Sequence, residues 1–471
     1  MIKVLNQYFP ARWVVLLLGE SLLILLVLAT MAGLQAGGWP SGAPPLGLVV
    51  KVAFIALLCQ VCLHYRDLYP AEARSAAREV WMRLLQALGI ATLVLALVYW
   101  VMPPARLETG VVMGSVLALL LLLSLWRGAI DWGIHLAHQA YPASERLLVL
   151  GAGEQARLLV RELRQRPQLG LVVVGAVTEE VGRGALPAGE GGLDGIPILG
   201  GLDQMAQIVA AQRPQRIAVA LPDRRRWAAA SLTAAQAAGA QIEDAPTLFE
   251  RITGRVALSG IGPGWLATAA AGRRPRRLDA ILHALGITTA GLGLLLLSPV
   301  LAAAAVAIRL DSPGPIFYRQ TRVGLRGRCF PILKFRSMRV DAESLSGPVW
   351  AAAGDARITR VGRWLRKLRV DELPQLLNVL QGRMSIIGPR PERPQFVAEF
   401  RRSIPYYELR HWVRPGITGW AQVSRDYGAS LDDARDKLEF DLYYVKNRSV
   451  WLDLFILFQT TKIIALGRGA R

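Results

Sequence analysis

Cysteine and acidic side chains are both scarce in this sequence of 471 residues. Cys59 and Cys62 form a CxxC but lie inside an apolar run, and Cys329 is alone, so neither a disulfide framework nor a zinc site is expected. Asp and Glu number 35 against 55 Lys and Arg, so the formal net charge is +20. Such a chain is expected to bind anionic partners, either a phospholipid surface or substrates that carry phosphate. Nucleic acid is not an expected partner, because the chain also carries membrane segments.

Charged residues are missing from long stretches of this chain, which is 53% hydrophobic. A soluble protein of this length is seldom so apolar, so membrane segments are expected. Four apolar stretches in the first third approach or reach the ~20 residues that cross a bilayer, at 13–34, 46–63, 81–102 and 111–126. Glu20 and Lys51 interrupt two of them, and we expect a buried polar contact or snorkelling there, with a polar pathway as the alternative. Cys59 and Cys62 are expected to be small residues within a membrane helix.

The loops between these stretches differ in positive charge. The loop 35–45 contains no Lys or Arg, whereas the loop 64–80 contains three arginines and a basic segment begins at Arg127. The positive-inside rule therefore predicts a four-helix transmembrane bundle, residues 1–140, with both ends in the cytoplasm. A cleavable signal is not expected, because the first apolar run continues to helix length.

Residues 145–255 have the strand and helix alternation of a parallel α/β domain. The turn Gly151-x-Gly153-x-x-Ala156 follows an apolar strand and is typical of a Rossmann-like fold. Three interpretations of this turn stay open: a bound dinucleotide with Glu179 or Glu180 near the ribose, a regulatory nucleotide sensor, and a degenerate remnant of the fold.

Tyrosine and lysine are both absent from residues 145–255. Sugar-nucleotide epimerases and dehydratases use a Tyr-x-x-x-Lys pair for proton and hydride transfer, so this domain is not expected to be one of them.

A further uncharged run covers residues 284–308 and is long enough to span a membrane. Arginines cluster on both sides of it, which favours both ends remaining in the cytoplasm. Ser298-Pro299 lies near its middle, where proline removes a helix hydrogen bond and favours a sharp bend. We therefore predict a re-entrant helix over about 280–308, with an ordinary kinked span as the alternative. Arg357–Val370 and Trp451–Leu466 are candidates for helices at the membrane surface.

The adjacent carboxylates Asp371 and Glu372 are the strongest candidates for chemistry. Asp371 is placed to cap a short helix that Pro374 would begin, and a helix N-terminus attracts phosphate. Two adjacent carboxylates point in different directions, so one can attack phosphorus while the other holds a divalent cation. Mg²⁺ suits such a site, because it is satisfied by one or two carboxylates and phosphate oxygens. A capping Asp beside a solvated Glu is the structural alternative.

Basic residues and rigid turns surround this pair in the sequence. Arginine side chains offer bidentate contacts to phosphate oxygens, so the group suggests a pyrophosphate site. Its members are Lys334, Arg336, Arg366, Arg369, Arg390 within Gly388-Pro-Arg-Pro391, and Arg414 within Arg414-Pro-Gly-Ile-Thr-Gly-Trp420.

Several motifs in order resemble the catalytic domain of the bacterial sugar transferase family, the monotopic polyprenyl-phosphate glycosyl-1-phosphate transferases. They are Ser298-Pro299, Gly314-Pro-Ile-Phe-Tyr-Arg-Gln320, Lys334-Phe-Arg336, Asp371-Glu-Leu-Pro-Gln-Leu-Leu-Asn378, Gly388-Pro-Arg-Pro391, Arg414-Pro-Gly-Ile-Thr-Gly-Trp420 and Asp441-Leu-Tyr-Tyr-Val-Lys-Asn447. The bundle and the α/β domain are similar to the long members that initiate exopolysaccharide or O-antigen repeat units. Phe249-Glu-Arg-Ile-Thr-Gly254 resembles members from exosortase-type polysaccharide loci.

The resemblance implies a mostly helical catalytic domain at 276–471, on the cytoplasmic face of a bacterial inner membrane. It implies that Asp371 attacks the β-phosphorus of a UDP-sugar, releasing UMP, and that undecaprenyl phosphate then accepts the phosphosugar. Glu372 would bind Mg²⁺. The residues implied to bind substrate phosphates or support the site are Lys334, Arg336, Arg366, Gln375, Arg390, Arg414 and Asp441.

A scaffold that recruits glycan-assembly proteins is the non-enzymatic alternative, and it predicts partner capture without turnover. The α/β domain is also able to recruit such proteins beside a catalytic C-terminal third. The sequence leaves the transferred sugar, the oligomeric state (a homo-oligomer among the options) and the role of the bundle undecided.

Overall fold

A computed structural model gives the fold of most of the chain. It describes residues 2–4, 7–9, 11–35, 45–69, 77–140, 145–178, 193–221, 229–237, 239–271, 274–340, 342, 355, 357–425 and 430–466. The chain divides into two compact units. One comprises Met1–Gly151, Val160–Ala218 and Ala228–Ile242, and the other comprises Ala152–Leu159, Val219–Trp227 and Glu243–Arg471. The three consecutive domains predicted from sequence stay a prediction.

Four long helices follow a short antiparallel hairpin of β1 (Ile2–Val4) and β2 (Gln7–Phe9). They are α1 (Ala11–Gln35), α2 (Leu46–Tyr65), α3 (Ala77–Val101) and α4 (Thr109–Ala140). All four contribute to one apolar core, and many of their other large apolar side chains are exposed. Helices that are apolar on their outer faces as well suit a lipid environment.

The charges inside this bundle are satisfied by partners from other elements. Glu20 is completely buried, with Nε of Arg127 2.6 Å from its Oε1 and the Tyr69 hydroxyl 2.5 Å from its Oε2. The Lys51 ammonium donates to the carbonyl oxygen of Arg106 over 3.2 Å. The predicted buried polar contact at Glu20 is therefore confirmed. Cys59 and Cys62 are buried free thiols on α2, also as predicted.

A five-stranded sheet follows in the chain. Its strands are β3 (Glu145–Leu150), β4 (Leu171–Thr178), β5 (Ile198–Gly201), β6 (Arg216–Val219) and β7 (Gln241–Asp244). The intervening helices are α5 (Glu154–Gln165), α6 (Met205–Gln212) and α7 (Ala229–Ala237). The strand order is β5-β4-β3-β6-β7, and β4 pairs in parallel with both β3 and β5. The predicted parallel sheet is present, although β5 and β7 were not anticipated.

The remaining chain is mostly helical. Its helices are α8 (Ala245–Thr253), α9 (Pro263–Ala271), α10 (Arg276–Leu296), α11 (Ser298–Asp311), α12 (Arg360–Lys367), α13 (Gln375–Leu380), α14 (Pro394–Ser403), α15 (Trp420–Ser424), α16 (Leu431–Asn447) and α17 (Val450–Ala465). Its strands form two pairs, antiparallel β8 (Phe317–Val323) with β9 (Cys329–Phe335), and parallel β10 (Ser385–Ile387) with β11 (Gly416–Thr418). A large core joins Val256, Leu258 and Trp265 to side chains of α14 and α16. Residues before the predicted catalytic domain thus help to build its core.

Five helices among the described residues are long and apolar enough to cross a membrane: Val14–Leu34, Leu46–Tyr65, Arg78–Val101, Thr109–Gly133 and Arg276–Leu296. The fifth ends where the sequence predicts a bend, since α10 stops at Leu296 and α11 begins at Ser298. Proline cannot donate the next helix hydrogen bond, and the Ser298 hydroxyl instead donates to the carbonyl oxygen of Leu295 over 2.7 Å.

The helix predicted over Arg357–Val370 is shorter in the structure. It starts at Arg360, because the Thr359 hydroxyl accepts a hydrogen bond from the Gly362 amide and caps the helix. Ile358 lies outside it and bridges to Met338, and Leu368 lies beyond its last turn with its side chain exposed.

Candidate active site

The two candidate carboxylates lie in a tight turn between α12 and α13. Arg369 adopts a left-handed backbone conformation with φ of +54°, which is uncommon for a residue with a side chain, and one 3₁₀ turn, Val370–Glu372, follows it. The predicted helix cap by Asp371 is wrong. Helix α13 starts only at Gln375, with Pro374 at the N-cap and no side chain bonded to it. The site is therefore a turn held by tertiary contacts.

Glu372 is held by cations from three different segments. Nη2 of Arg390 lies 2.5 Å and Nζ of Lys334 lies 2.9 Å from its Oε1. Arg390 also reaches Oε2 through Nη1 at 3.3 Å, and Arg369 lies 3.9 Å from Oε2. Burial alone would raise the pKa of Glu372, but the charges of Arg390 and Lys334 outweigh it and hold that pKa well below its ordinary value. Glu372 is consequently ionised.

Asp371 has a different environment, although it is the adjacent residue. Its side chain is buried, and none of the described residues donates a hydrogen bond to it or pairs with it within 4.0 Å. Burial and the neighbouring Glu372 charge raise the pKa of Asp371, while Lys334, Arg366 and Arg390 oppose the rise. The carboxylate thus lies in a cationic field without being tied to one cation, which leaves its oxygens free to react.

Lys334 is placed by a strand and by an amide side chain. Strand β9 carries it, and the side chain of Asn378 on α13 fixes β9 at two points. Oδ1 of Asn378 accepts a hydrogen bond from the Leu333 amide at 2.9 Å, and Nδ2 of Asn378 donates one to the carbonyl oxygen of Pro331 at 2.9 Å. Burial lowers the pKa of Lys334, although Glu372 opposes the effect. The two hydrogen bonds of this one amide thereby hold strand β9, which carries Lys334, beside the segment with the Asp371–Glu372 pair (the dyad).

Arg390 is presented by two segments whose backbones touch. The Gly388 amide donates to Thr418 at 2.9 Å, and the Gly416 amide donates to Pro389 at 3.0 Å. A Cβ built on Gly388 would lie 2.3 Å from the carbonyl oxygen of Arg414, so only glycine permits this approach. The two basic turns noted in the sequence are therefore one unit.

Three more predicted residues lie near the dyad or connect to it. Arg366 donates from Nε to the Ser337 hydroxyl at 2.8 Å, and its charge acts on Asp371. Gln375, in the first turn of α13, is fully buried, and its Nε2 has no hydrogen-bond partner among the described residues. Asp441 pairs with Arg410, whose Nη2 donates to the carbonyl oxygen of Arg390 at 2.9 Å.

Two predicted phosphate-binding residues are engaged elsewhere. Arg336 donates to the carbonyl oxygens of Pro313 and Ser312 at 2.5 and 2.8 Å, which fastens the loop after α11. Arg414 lies 4.0 Å from Asp279, the residue that also pairs with Arg448. Their binding of phosphate stays a prediction. The cations whose charges act on Asp371 are instead Lys334, Arg366 and Arg390.

Sequence reasoning did not find Arg410 or Tyr407. Both are buried in the 3₁₀ segment Tyr407–Trp412, and Nη1 of Arg410 donates to the Tyr407 hydroxyl at 2.6 Å. Their separation of three residues on a helical turn was the available signal, but the sequence contains 55 Lys and Arg residues, so that signal was weak.

The donor set fits Mg²⁺ only together with a substrate. Within the described part of the chain, no cluster of three His, Cys, Asp or Glu side chains is placed to hold a metal. Mg²⁺ needs just one or two carboxylates when phosphate oxygens complete its shell. Glu372 is the carboxylate predicted to bind Mg²⁺, and it is already held by Arg390 and Lys334. Binding of Mg²⁺ at this site stays a prediction.

The glycine turn of the α/β region has two different glycines. Gly151 has φ of +107°, which favours glycine, and it follows β3 directly as predicted. A Cβ on Gly153 would meet no atom within 4 Å, so packing does not demand glycine there. Glu179 and Glu180, predicted near a ribose, lie outside the described residues.

Two family models match the chain. The bacterial sugar transferase model covers residues 278–467, and a CoA-binding domain model covers residues 64–229. The first match contains every site residue discussed above except those of the glycine turn and Glu179 and Glu180, which lie in the second.

Curated relatives match part of the chain. A UDP-N-acetylgalactosamine-undecaprenyl-phosphate N-acetylgalactosaminephosphotransferase from Aeromonas hydrophila is 48% identical over 225 residues, covering 48% of this chain and 52% of the relative. A UDP-glucose:undecaprenyl-phosphate glucose-1-phosphate transferase from Escherichia coli K12 is 47% identical over 176 residues, covering 37% and 38%. An exopolysaccharide production protein from Rhizobium leguminosarum bv. phaseoli is 43% identical over 199 residues, covering 41% and 98%. The chain thus spans about half or less of the first two relatives but almost all of the third.

Proposed function

Because this chain belongs to the bacterial sugar transferase family, we propose that it transfers a sugar-1-phosphate from a UDP-sugar to undecaprenyl phosphate. The observation that carries this proposal is the asymmetry of the dyad. Glu372 is ionised between Arg390 and Lys334, while the oxygens of the adjacent Asp371 have no hydrogen-bond or ion-pair partner among the described residues. One carboxylate that organises cations and one that is free to attack are what a covalent phosphosugar transfer requires.

The reaction proceeds in two displacements at one phosphorus atom. A carboxylate oxygen of Asp371 bonds to the β-phosphorus of the UDP-sugar, and the bond from that phosphorus to the bridging oxygen breaks. The bond electrons leave with UMP, and the sugar-1-phosphate remains on Asp371. A phosphate oxygen of undecaprenyl phosphate then attacks the same phosphorus, which restores the Asp371 carboxylate and gives undecaprenyl-diphosphate-sugar.

Cations around the dyad stabilise the charge that develops on phosphorus. Arg390 and Lys334 exchange part of their contact with Glu372 for substrate phosphate oxygens, and Arg366 adds positive charge beside Asp371. Glu372 would hold a divalent cation, Mg²⁺, which would supply further neutralisation of the pyrophosphate. Gln375 offers its unpaired Nε2 as a donor to the same substrate.

A re-entrant arrangement of α10 and α11 brings this chemistry to the membrane surface. Ala290 on α10 shares a buried cluster with Ile332 on β9, and Ile308 on α11 shares another with Phe335 on the same strand. Both helices therefore return to one protein body, while the break between them is apolar and Leu296 is 77% exposed. An exposed apolar tip between two anchored arms suits insertion into one leaflet.

The site then lies at headgroup level on the cytoplasmic face of the bacterial inner membrane. A soluble nucleotide-sugar and a lipid-linked phosphate can both reach it there. Exposed Trp364 and the adjacent basic residues of α12 suit the anionic interface.

The topology test uses single cysteines in a variant without Cys59, Cys62 and Cys329. An impermeant thiol reagent should label Arg277→Cys and Leu310→Cys from the same side of sealed inner-membrane vesicles. Labelling from opposite sides would mean that α10 and α11 together cross the bilayer.

The decisive test of the reaction compares the wild-type chain with Asp371→Asn in lipid nanodiscs. Wild type should release UMP from a UDP-sugar when undecaprenyl phosphate and Mg²⁺ are present. Without the lipid acceptor, acid-quenched protein should carry one phosphosugar on the peptide that contains Asp371. Asparagine at 371 should abolish both signals, yet the protein should remain folded because no hydrogen bond from the described residues to the Asp371 side chain is lost. Unchanged turnover would refute the nucleophile, and partner capture without any turnover would favour the scaffold alternative.

The sugar is determined by the same assay. The relatives from Aeromonas hydrophila and Escherichia coli are named for N-acetylgalactosamine and glucose, respectively, so both donors belong in the screen. UDP-galactose and UDP-N-acetylglucosamine complete it, and the donor with the highest kcat/KM identifies the substrate.

We propose that the α/β region is a Rossmann-like domain, and a bound dinucleotide, a regulatory nucleotide sensor and a fold remnant stay its three alternatives. Its strand order corresponds to 3-2-1-4-5, the first five strands of the doubly wound fold, with Gly151 in the turn after the first strand. Calorimetric titration with coenzyme A, NAD and UDP-sugars tests the binding, and Gly153→Val is the matched variant. No heat with any of these ligands in the wild type would favour a fold remnant.

A further inference from the structure

The turn that carries Arg390 is fastened at four consecutive carbonyl oxygens, each by a donor from another segment. The four contacts are Pro389 with the Gly416 amide at 3.0 Å, Arg390 with Nη2 of Arg410 at 2.9 Å, Pro391 with Nη1 of Arg322 at 3.0 Å, and Glu392 with the Val323 amide at 2.9 Å. The fastening of all four carbonyl oxygens of this largely buried turn limits where the guanidinium of Arg390 can lie.

Arg410 is itself fixed on three sides. Its Nε and Nη2 donate to Oδ2 of Asp441 at 3.1 and 2.7 Å, and its Nη1 donates to the Tyr407 hydroxyl at 2.6 Å. Burial would lower the pKa of Arg410, but Tyr407 and Asp441 outweigh it and raise that pKa, so the guanidinium stays charged. A planar guanidinium can serve these partners and the Arg390 carbonyl together, whereas one lysine ammonium cannot.

On the basis of the proposed function, we propose that Arg410 is a positioning residue for the transfer, acting through the backbone of Arg390. The contacts form one continuous path. Asp441 orients Arg410, Arg410 holds the carbonyl oxygen of Arg390, and the Arg390 side chain clamps Glu372. In this path the task of Asp441 is to orient Arg410, which does not require its carboxylate to contact the substrate.

The size of the expected effect follows from the geometry of phosphoryl transfer. Displacing a charge-stabilising group by about 1 Å can cost up to ~100-fold in rate. Arg410→Lys keeps the positive charge beside Asp441 but cannot reach the Arg390 carbonyl and Tyr407 at the same time. We therefore expect kcat for UMP release to fall by about 10- to 100-fold, with a smaller change in KM.

Arg274→Lys is the matched control for the loss of a buried arginine. The Arg274 side chain is 5% exposed and pairs with Asp453 at 2.6 Å, whereas Arg410 is 6% exposed and pairs with Asp441 at 2.7 Å. Arg274 has no contact with the Arg390 turn among the described residues. The control should resemble Arg410→Lys in melting temperature while keeping kcat within about 2-fold of wild type.

The path is tested by a double-mutant cycle in the full-length chain. Arg390→Lys removes the bidentate clamp on Glu372, so Arg410 should have little left to position in that background. Arg410→Lys should then lower kcat by less than about 3-fold, against 10- to 100-fold in wild type. Equal fold-losses in both backgrounds would show that Arg410 acts on catalysis by another route.

Amide hydrogen exchange gives a readout that needs no turnover. Arg410→Lys should speed exchange in peptides covering 384–392 and 413–419, and Arg274→Lys should not. Unchanged exchange at the turn in Arg410→Lys would overturn the proposal even if kcat fell. A wild-type chain that releases no UMP would instead refute the proposed function, and the exchange result would stand separately.

Discussion

Arg390 and Glu372 form a bidentate ion pair, with Nη2 2.5 Å from Oε1 and Nη1 3.3 Å from Oε2. The pair lies next to Asp371, whose carboxylate has no such partner among the described residues. Two adjacent acids are thus separated into one that organises cations and one that stays available. The difference arises from tertiary contacts, because both residues belong to the same short turn.

Glu372→Gln should lower both activity and stability. The substitution keeps the shape but leaves the charges of Lys334 and Arg390 largely buried without a carboxylate, which typically costs about 3–5 kcal/mol. In a domain of this size we expect the melting temperature in detergent to fall by about 10 °C. Adding Lys334→Met should recover part of the melting temperature without restoring UMP release. Full stability in Glu372→Gln alone would contradict the buried ion-pair network.

In the pH profile of kcat/KM, the midpoint of the acid limb should lie at a higher pH than 3.8, the ordinary pKa of an aspartate. Burial and Glu372 raise the pKa of Asp371, and only the ionised form attacks, so kcat/KM rises as the pH passes through that raised value. Arg366 opposes the rise, so Arg366→Met should move the acid limb to higher pH. Arg363→Met, on the exposed face of α12, is the control and should leave the limb in place. A shift to lower pH in Arg366→Met would contradict the assignment.

Gly388→Ala should remove activity through a backbone clash. The new Cβ would lie 2.3 Å from the carbonyl oxygen of Arg414, and neither backbone segment can yield without moving Arg390. Gly286→Ala is the matched control on α10, where a Cβ meets nothing within 4 Å and alanine is the better helix former. UMP release should fall at least ~10-fold in the first variant and persist in the second. Normal turnover in Gly388→Ala would mean that the turn tolerates movement.

Trp265→Ala should destabilise the C-terminal region by about 3–5 kcal/mol. Trp265 is buried in its core, and its Nε1 donates to Oε1 of Glu250 at 3.1 Å, where Lys446 also pairs. Thermal unfolding of the full-length chain, followed by tryptophan fluorescence, measures the loss. Trp364→Ala is the control, since that side chain is 64% exposed and should change stability by less than about 0.5 kcal/mol. If Trp265→Ala melted at the same temperature as the wild type, residues 256–269 would not be part of this core.

Much of the molecule follows from local features of the sequence. The apolar runs predicted the long helices α1 to α4, and alternating strands predicted the parallel sheet from β3 onward. Ser298-Pro299 predicted the helix break, which the structure has between Leu296 and Ser298. These features depend on run length and on the fixed φ of proline, which neighbouring residues alone define.

The sequence by itself determined that Asp371 and Glu372 stand together among basic turns. Only the tertiary structure decided that Arg390 and Lys334 pair with Glu372, that Arg336 and Arg414 are engaged elsewhere, and that Arg410 fastens the Arg390 turn. The physical reason is that an ion pair needs a separation of about 4 Å. Among 55 basic side chains, the fold selects which few come that close to a given carboxylate.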